Sequence, residues 1–324
     1  MSLRPVVVIL HDQHLPAPEI LDPVKEVAEI RHATAAELET ALVGADVLFL
    51  YDFFSGALGN AWHAASSLKW VHVAAAGVDA ILTDEIRESD VVVTNSRGIF
   101  DKPIAEYVLA QILALAKDLP TAWQLQQERV WKHREPQRLE GTCALVVGTG
   151  PIGRAIANLL TAVGVEVKGA GRRIRTGDPD FGHVVDTAGL PRALGEADWV
   201  IAAAPLTDTT HKMFNTGAFA AMKPSARFIN VGRGELADTH ALVNALNNHE
   251  IAGAALDVVD PEPLPEDHPL WTTPNVSITA HNSGDVKGWR EELVRLFVAN
   301  FERWNMDEEV FNVVDKALGY IPGA

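Results

Sequence analysis

The chain holds a single cysteine, Cys143, so no internal disulfide can form, which fits a reducing compartment. Long apolar runs are missing too. The longest, residues 104–116, is interrupted by Glu106 and Gln111 and falls short of the ~20 residues that span a bilayer. The opening MSLRPVVVIL lacks the charged stretch, long apolar core and small-residue cleavage site of a secretory signal. Cations are scarce: 27 Lys+Arg against 43 Asp+Glu leave a formal net charge of −16, with no basic block to offset it. Such a surface repels phosphate backbones and argues against a nucleic-acid partner. No metal site is expected. These absences predict a soluble, cytoplasmic protein with no membrane association.

What remains is ordinary globular composition, 48% hydrophobic and 22% charged. At ~150 residues per domain, 324 residues suggest two domains. Apolar runs at 6–10, 47–51, 70–74 and 91–94 read as strands, with short helices at 35–43 and 61–68 between them. Nearly all-apolar strands alternating with helices are the pattern of a parallel sheet covered on both faces. One long helix is expected over 103–131, with Pro103 at its first position. A second series begins at Ala144, with strands at 144–147, 165–169, 199–203, 227–231, 254–258 and 276–279. Helices at 152–163 and 239–247 fall between them, and a final helix at about 285–304. Six strands in that order predict a doubly wound nucleotide-binding domain, and a cleft between two such domains is the natural place for a site.

Gly148-Thr149-Gly150-Pro151-Ile152-Gly153 is a GxGxxG directly after an apolar strand and directly before a helix, the context in which the motif is informative. Gly148 permits the tight turn, Gly150 lets backbone approach a pyrophosphate, and Gly153 allows close helix–strand packing. The helix-start N–H groups of this segment then meet negative charge. About 20 residues on, where an NAD site normally carries Asp or Glu for the ribose hydroxyls, stands Gly171, followed by Arg172, Arg173, Arg175 and Thr176. Guanidinium groups bind a 2′-phosphate that a carboxylate would repel, so NADP(H) is preferred and NAD(H) remains possible.

Three further segments follow predicted strands: NVGRG around Arg233, DVVDPEP around Glu262 and TAHNSG around His281. Carboxyl ends of strands are where open α/β sheets bind ligands, so these three side chains can converge at one sheet edge. Tyr51, Phe53 and Phe54 follow the second strand, where they can line a pocket or pack a core. Trp131 and Trp289 carry the same two readings. Cys143 and the histidines other than His281 read as structural.

In the order AAAGVD, TNSRGIFDKPIAEY, GTGPIG, PLTDTT, NVGRGE, LDVVDPEPL and ITAHNSG, the chain from about residue 71 to 320 resembles the D-isomer-specific 2-hydroxyacid dehydrogenases, and especially their glyoxylate/hydroxypyruvate reductase branch. The resemblance implies a split topology. Residues 1–98 and 288–324 form a flavodoxin-like substrate domain, and a Rossmann cofactor domain, residues 99–287, is inserted into it. It also implies homodimers. Position by position it implies that Arg233 grips the carboxylate of a 2-oxo acid. His281 protonates the carbonyl oxygen, and Glu262 orients His281 and keeps a proton available near neutral pH. Backbone N–H groups of Ala76, Gly77 and Val78 hold the carboxylate from the other domain. Asp257 meets the nicotinamide carboxamide, and Pro205, Leu206 and Thr210 line the cofactor, as do Val231, Gly232, Ser283 and Gly284.

Formate dehydrogenases are set aside, because those relatives carry Gln at the position of Glu262. The expected function is hydride transfer between NADP(H) and C2 of a small 2-oxo or 2-hydroxy acid. One alternative is an NAD-linked dehydrogenase of a larger 2-hydroxy acid. Another is a cofactor-sensing module like the C-terminal-binding corepressors, which share the Arg/Glu/His set. The charge of −16 and the absence of an appended tail favour the enzyme.

Overall fold

The computed structural model describes residues 4–322. Its internal contacts divide the chain into two compact units, Met1–Ile99 with Val286–Ala324, and Phe100–Asp285.

In the first unit β1 (Val6–Leu10), β2 (Glu29–Ala33), β3 (Val47–Leu50), β4 (Trp70–Val73) and β5 (Val92–Asn95) form one parallel sheet in the order β2-β1-β3-β4-β5. That is the flavodoxin-like order. β3 and β4 are buried along their whole length, as strands covered on both faces must be. β2 was not among the expected strands. It lies at the sheet edge with Glu29 and His32 exposed, so its sequence EIRHA carries no apolar run. Two expected helices are shorter or displaced. Residues 34–37 form a turn in which Glu37 accepts from both the N–H and the hydroxyl of Thr34 (3.0 and 2.8 Å), so that helix begins at Leu38. The other covers Ala57–Ala61 and ends in a 3-10 turn, Trp62–Ala64, before Ser66-Ser67, residues that compete for backbone hydrogen bonds. The helix Trp289–Asn305 covers one face, where Phe297 stacks on Phe49 at 4.2 Å and on Trp70 at 5.5 Å.

The second unit carries β6 (Cys143–Val147), β7 (Glu166–Ala170), β8 (Arg175–Asp178), β9 (Gly182–Val185), β10 (Trp199–Ala202), β11 (Arg227–Asn230), β12 (Gly253–Leu256) and β13 (Val276–Ile278). Their order is β13-β12-β11-β10-β6-β7-β9-β8, parallel except for the β8/β9 pair. The strand order reverses between β6 and β10, the switch point at which a doubly wound sheet opens a crevice. The β8–β9 hairpin was not among the expected strands. The helix expected over 103–131 is two helices, Asp101–Ala116 and Leu119–Gln127. Pro120 cannot continue a helix, because it lacks an N–H and crowds the carbonyl four residues back. Asp118 turns into the left-handed region (φ 51°), and the Ala116 carbonyl accepts from Gln137 N–H instead (2.9 Å). Pro103 stands in the first turn of its helix, where N–H groups have no intrahelical partner. No helix among the described residues is long and apolar enough to cross a membrane.

Candidate active site

The glycine turn lies between the carboxyl end of β6 and the helix Pro151–Ala162. Gly148 has φ +111°, and a Cβ there would sit 2.4 Å from the Ala203 carbonyl just past β10, so only glycine fits. A Cβ on Gly153 would sit 1.9 Å from Gly148 O, whereas one on Gly150 would meet nothing within 4 Å. The turn is therefore packed tightly on its protein side and open at Gly150. No side chain caps the helix start. This geometry fits a dinucleotide pyrophosphate.

The bend directly after β7, residues 171–174, carries no carboxylate. Gly171 lies against Thr149, and Arg172 and Arg173 are exposed on the bend that follows. Thr176 is exposed within β8. Arg175, expected to meet the cofactor, donates its Nε to Asp178 Oδ2 at 3.0 Å. Asp178, buried, also takes a two-pronged contact from Arg154 at 3.0 and 3.1 Å, and Arg154 further pairs with Asp180. The first carboxylate after β7 is thus committed to arginines of the protein itself. Past β10, the Thr210 hydroxyl donates to the Pro205 carbonyl (2.7 Å) and accepts from Thr207 N–H (2.8 Å), closing the 205–210 loop. Leu206 packs on the core of this unit.

Asn230, buried at the end of β11, folds the turn that carries Arg233. Its amide donates to Arg233 O (2.8 Å) and its Oδ1 accepts from Gly232 N–H (3.1 Å). Arg233 Nη1 donates to the Gly232 carbonyl at 2.8 Å. A Cβ on Gly234 would lie 2.0 Å from Val259 O, so this turn seats directly on the loop leading to Glu262. Val231 is buried beneath it.

Glu262 Oε1 accepts from His281 Nδ1 at 2.6 Å, with both side chains about one-third exposed. Asp257, wholly buried after β12, binds the segment around His281. Oδ1 accepts from the Thr279 hydroxyl (2.6 Å) and Asn282 N–H (3.0 Å), and Oδ2 accepts from Ser283 N–H (2.9 Å). Three of its roughly four acceptor positions are therefore occupied by the chain's own donors. Tyr107 continues the chain, with its hydroxyl 2.7 Å from Thr279 Oγ1. Gly284 lies against Phe100, where a Cβ would be 2.7 Å from the ring. Sequence reasoning missed Tyr107, Thr279 and Asn230. Tyr107 and Thr279 are 172 positions apart, and no local pattern joins them.

In the first unit, Ala76, Gly77 and Val78 form the turn after β4. Asn95 Nδ2 holds the Ala76 carbonyl (2.6 Å), while the N–H groups of these three residues donate to no acceptor among the described residues. Tyr51 lines a cavity of about 330 Å³ with His14, Leu15, Ala17, Arg290, Glu291 and Val294. Phe53 touches the buried Trp289 at 5.9 Å, and Phe54 is exposed. His72 is a structural histidine, fully buried on Thr94 (2.7 Å), its pKa pushed down to about 3 by that burial. Cys143 is half-buried, and burial pushes its thiol up, away from nucleophile chemistry.

Comparison with known proteins points to one family. The family model "D-isomer specific 2-hydroxyacid dehydrogenase, NAD binding domain" matches residues 109–283. A human glyoxylate reductase/hydroxypyruvate reductase is 31% identical over 255 residues, 76% of this chain and 77% of that protein. A glyoxylate reductase of Thermococcus onnurineus is 33% identical over 252 residues, 73% of each. The solved NADPH-dependent glyoxylate/hydroxypyruvate reductase of Sinorhizobium meliloti, in complex with NADP and sulfate, superposes with a TM-score of 0.81 at 26% identity. It covers 98% of this chain and 100% of its own. The chain belongs to the D-isomer specific 2-hydroxyacid dehydrogenase family, NAD(P)-dependent oxidoreductases acting on the CH–OH group of 2-hydroxy acids.

Proposed function

We propose that the chain is a reductase of small 2-oxo acids, glyoxylate and hydroxypyruvate foremost, that prefers NADP(H) to NAD(H). The observation that carries the reading is the 2.6 Å contact between His281 Nδ1 and Glu262 on a loop pinned to Asp257. When bound, the nicotinamide supplies hydride to C2 of the acid. His281 supplies the proton: with Nδ1 held by Glu262, Nε2 delivers it to the carbonyl oxygen. Arg233 grips the substrate carboxylate with two parallel N–H donors. The N–H groups of Ala76, Gly77 and Val78 offer neutral donors suited to a carboxylate. Asp257 holds the His281 loop with most of its acceptor capacity, leaving about one position for the carboxamide.

The glycine turn, the 205–210 loop, Val231, Gly232, Ser283 and Gly284 receive the cofactor. Arg172 and Arg173 read its 2′-phosphate, while Arg175 instead braces the β8–β9 hairpin through Asp178. The preference for NADP(H) is supported by Asp178 being the first carboxylate past β7 and lying buried on Arg154. A second copy of the chain is the proposed partner, supported by the helix Leu119–Gln127, which buries no residue of its own.

Initial rates with glyoxylate and hydroxypyruvate test this reading. NADPH is expected to support turnover at least about tenfold faster than NADH at equal low concentration, and Arg172→Ala/Arg173→Ala to weaken NADPH more than NADH. Equal losses for the two cofactors would remove these arginines from 2′-phosphate recognition. No rate with either acid would remove the substrate assignment.

A further inference from the structure

Tyr107 and Thr279 have no part in the chemistry described above, yet their hydroxyls lead to Asp257, which holds the loop that carries the proton donor. Thr279 Oγ1 donates to Asp257 Oδ1, so the Tyr107 hydroxyl is the donor in the 2.7 Å contact with Thr279. Tyr107 stands on the helix Asp101–Ala116. Burial, reinforced by the nearby Asp257 charge, pushes this phenol up to about 12, so it stays a donor throughout the working pH range.

The consequence lies at residue 281. His281 has φ +49°, a left-handed backbone that a non-glycine residue keeps only where its surroundings over-determine it. Here Asp257 does so from both sides. Its carboxylate takes the Thr279 hydroxyl two residues before His281 and the N–H groups of Asn282 and Ser283 just after, and its carbonyl takes His281 N–H at 2.8 Å. Because Tyr107 occupies Thr279 as an acceptor, the single hydroxyl proton of Thr279 is directed to Asp257.

We propose that Tyr107 and Thr279 are positioning residues for the proton transfer, holding the Asp257 clamp that aims the His281 ring at Glu262 and at the substrate oxygen. The inference rests on His281 being the proton donor. Neither residue touches substrate, so their loss should appear in kcat and in proton transfer and spare cofactor binding.

The test compares the full-length chain with Thr279→Val, Thr279→Ser, Tyr107→Phe and His281→Ala. Thr279→Val should lower kcat about tenfold and Tyr107→Phe about threefold, with KM for NADPH within about twofold of the parent. Both should enlarge the solvent deuterium isotope effect on kcat, and Thr279→Ser should restore most of the rate. In the protein without cofactor, the His281 ring nitrogen signals in ¹⁵N NMR should move in Thr279→Val and return in Thr279→Ser. Parent-like kcat and isotope effect in Thr279→Val and Tyr107→Phe, or a loss that serine does not rescue, overturns the clamp. If Thr279→Val does not fold, Tyr107→Phe decides alone. An active His281→Ala would instead remove the proton-donor reading on which the clamp depends. Should neither acid turn over, the ring signals still decide whether the clamp exists.

Discussion

Arg233 shows how much of a site one residue type can specify. Its guanidinium is anchored by Nη1 on the Gly232 carbonyl, and the turn beneath it is folded by buried Asn230. A lysine there would keep the charge but present a point donor on a flexible stem, losing the two-pronged geometry. Arg233→Lys is expected to lower kcat/KM for the 2-oxo acid by about ten- to a hundredfold, the worth of one charged hydrogen bond at roughly 1.5–3 kcal/mol, with NADPH affinity unchanged. Near-parent kcat/KM, measured alongside NADPH fluorescence titration, would remove the carboxylate grip. Arg233, Glu262 and His281 stood out in the sequence because each follows an apolar strand within a few residues, and the structure pairs two of them, Glu262 and His281, at 2.6 Å. The partner of Arg175 was not legible, because Asp178, which takes it, is also held by Arg154, 24 positions earlier on another element.

The β8–β9 hairpin is the element least visible in the sequence and most dependent on charge. Its strands, RTGD and GHVV, are short, half polar and at the sheet edge, so no apolar period marks them. The core strands could be read because burial on both faces demands continuous apolar runs, and edges such as this one and β2 escape that demand. Asp178 holds the hairpin to the helix Pro151–Ala162 through Arg154. Burial alone would raise its pKa, but the Arg154 hydrogen bonds and charge, with Arg175, hold it down at about 2. A carboxyl depressed in the folded state stabilises the fold above its unfolded value, ~3.9, and that stabilisation disappears as pH falls through the folded value. Asp178→Asn should therefore cost roughly 3 kcal/mol at pH 7, the scale of breaking one partner of a buried pair, and progressively less between about pH 4 and pH 2. Urea unfolding at several pH values measures it. A cost that stays constant down to pH 2 would show that the aspartate acts by shape and not by charge.

At the scale of the whole molecule, residues 113–131 pose a thermodynamic problem for a single copy. Leu113, Leu119, Trp123, Val130 and Trp131 are all exposed there, Trp131 to 94%, and the helix Leu119–Gln127 buries none of its residues. A nine-residue helix is too short to persist in water on intrinsic propensity, so its order requires a face to pack against. Each tryptophan offers roughly 150–250 Å² for burial, at about 25 cal/mol per Å². The opposing term is charge, because two copies at −16 each repel. These terms fix the direction of the salt response. An interface held by apolar burial against like net charge should tighten as salt screens the repulsion, whereas one held by ion pairs should loosen. Sedimentation is expected to give twice the 35.1 kDa chain mass at micromolar concentration. Association should strengthen from about 0.05 to 0.5 M NaCl, where the Debye length falls well below 10 Å. Trp123→Asp with Trp131→Asp should return the single-chain mass with both sheets intact by circular dichroism. A parent chain that sediments as one copy, or a double variant that still pairs, would place the cover for this helix elsewhere.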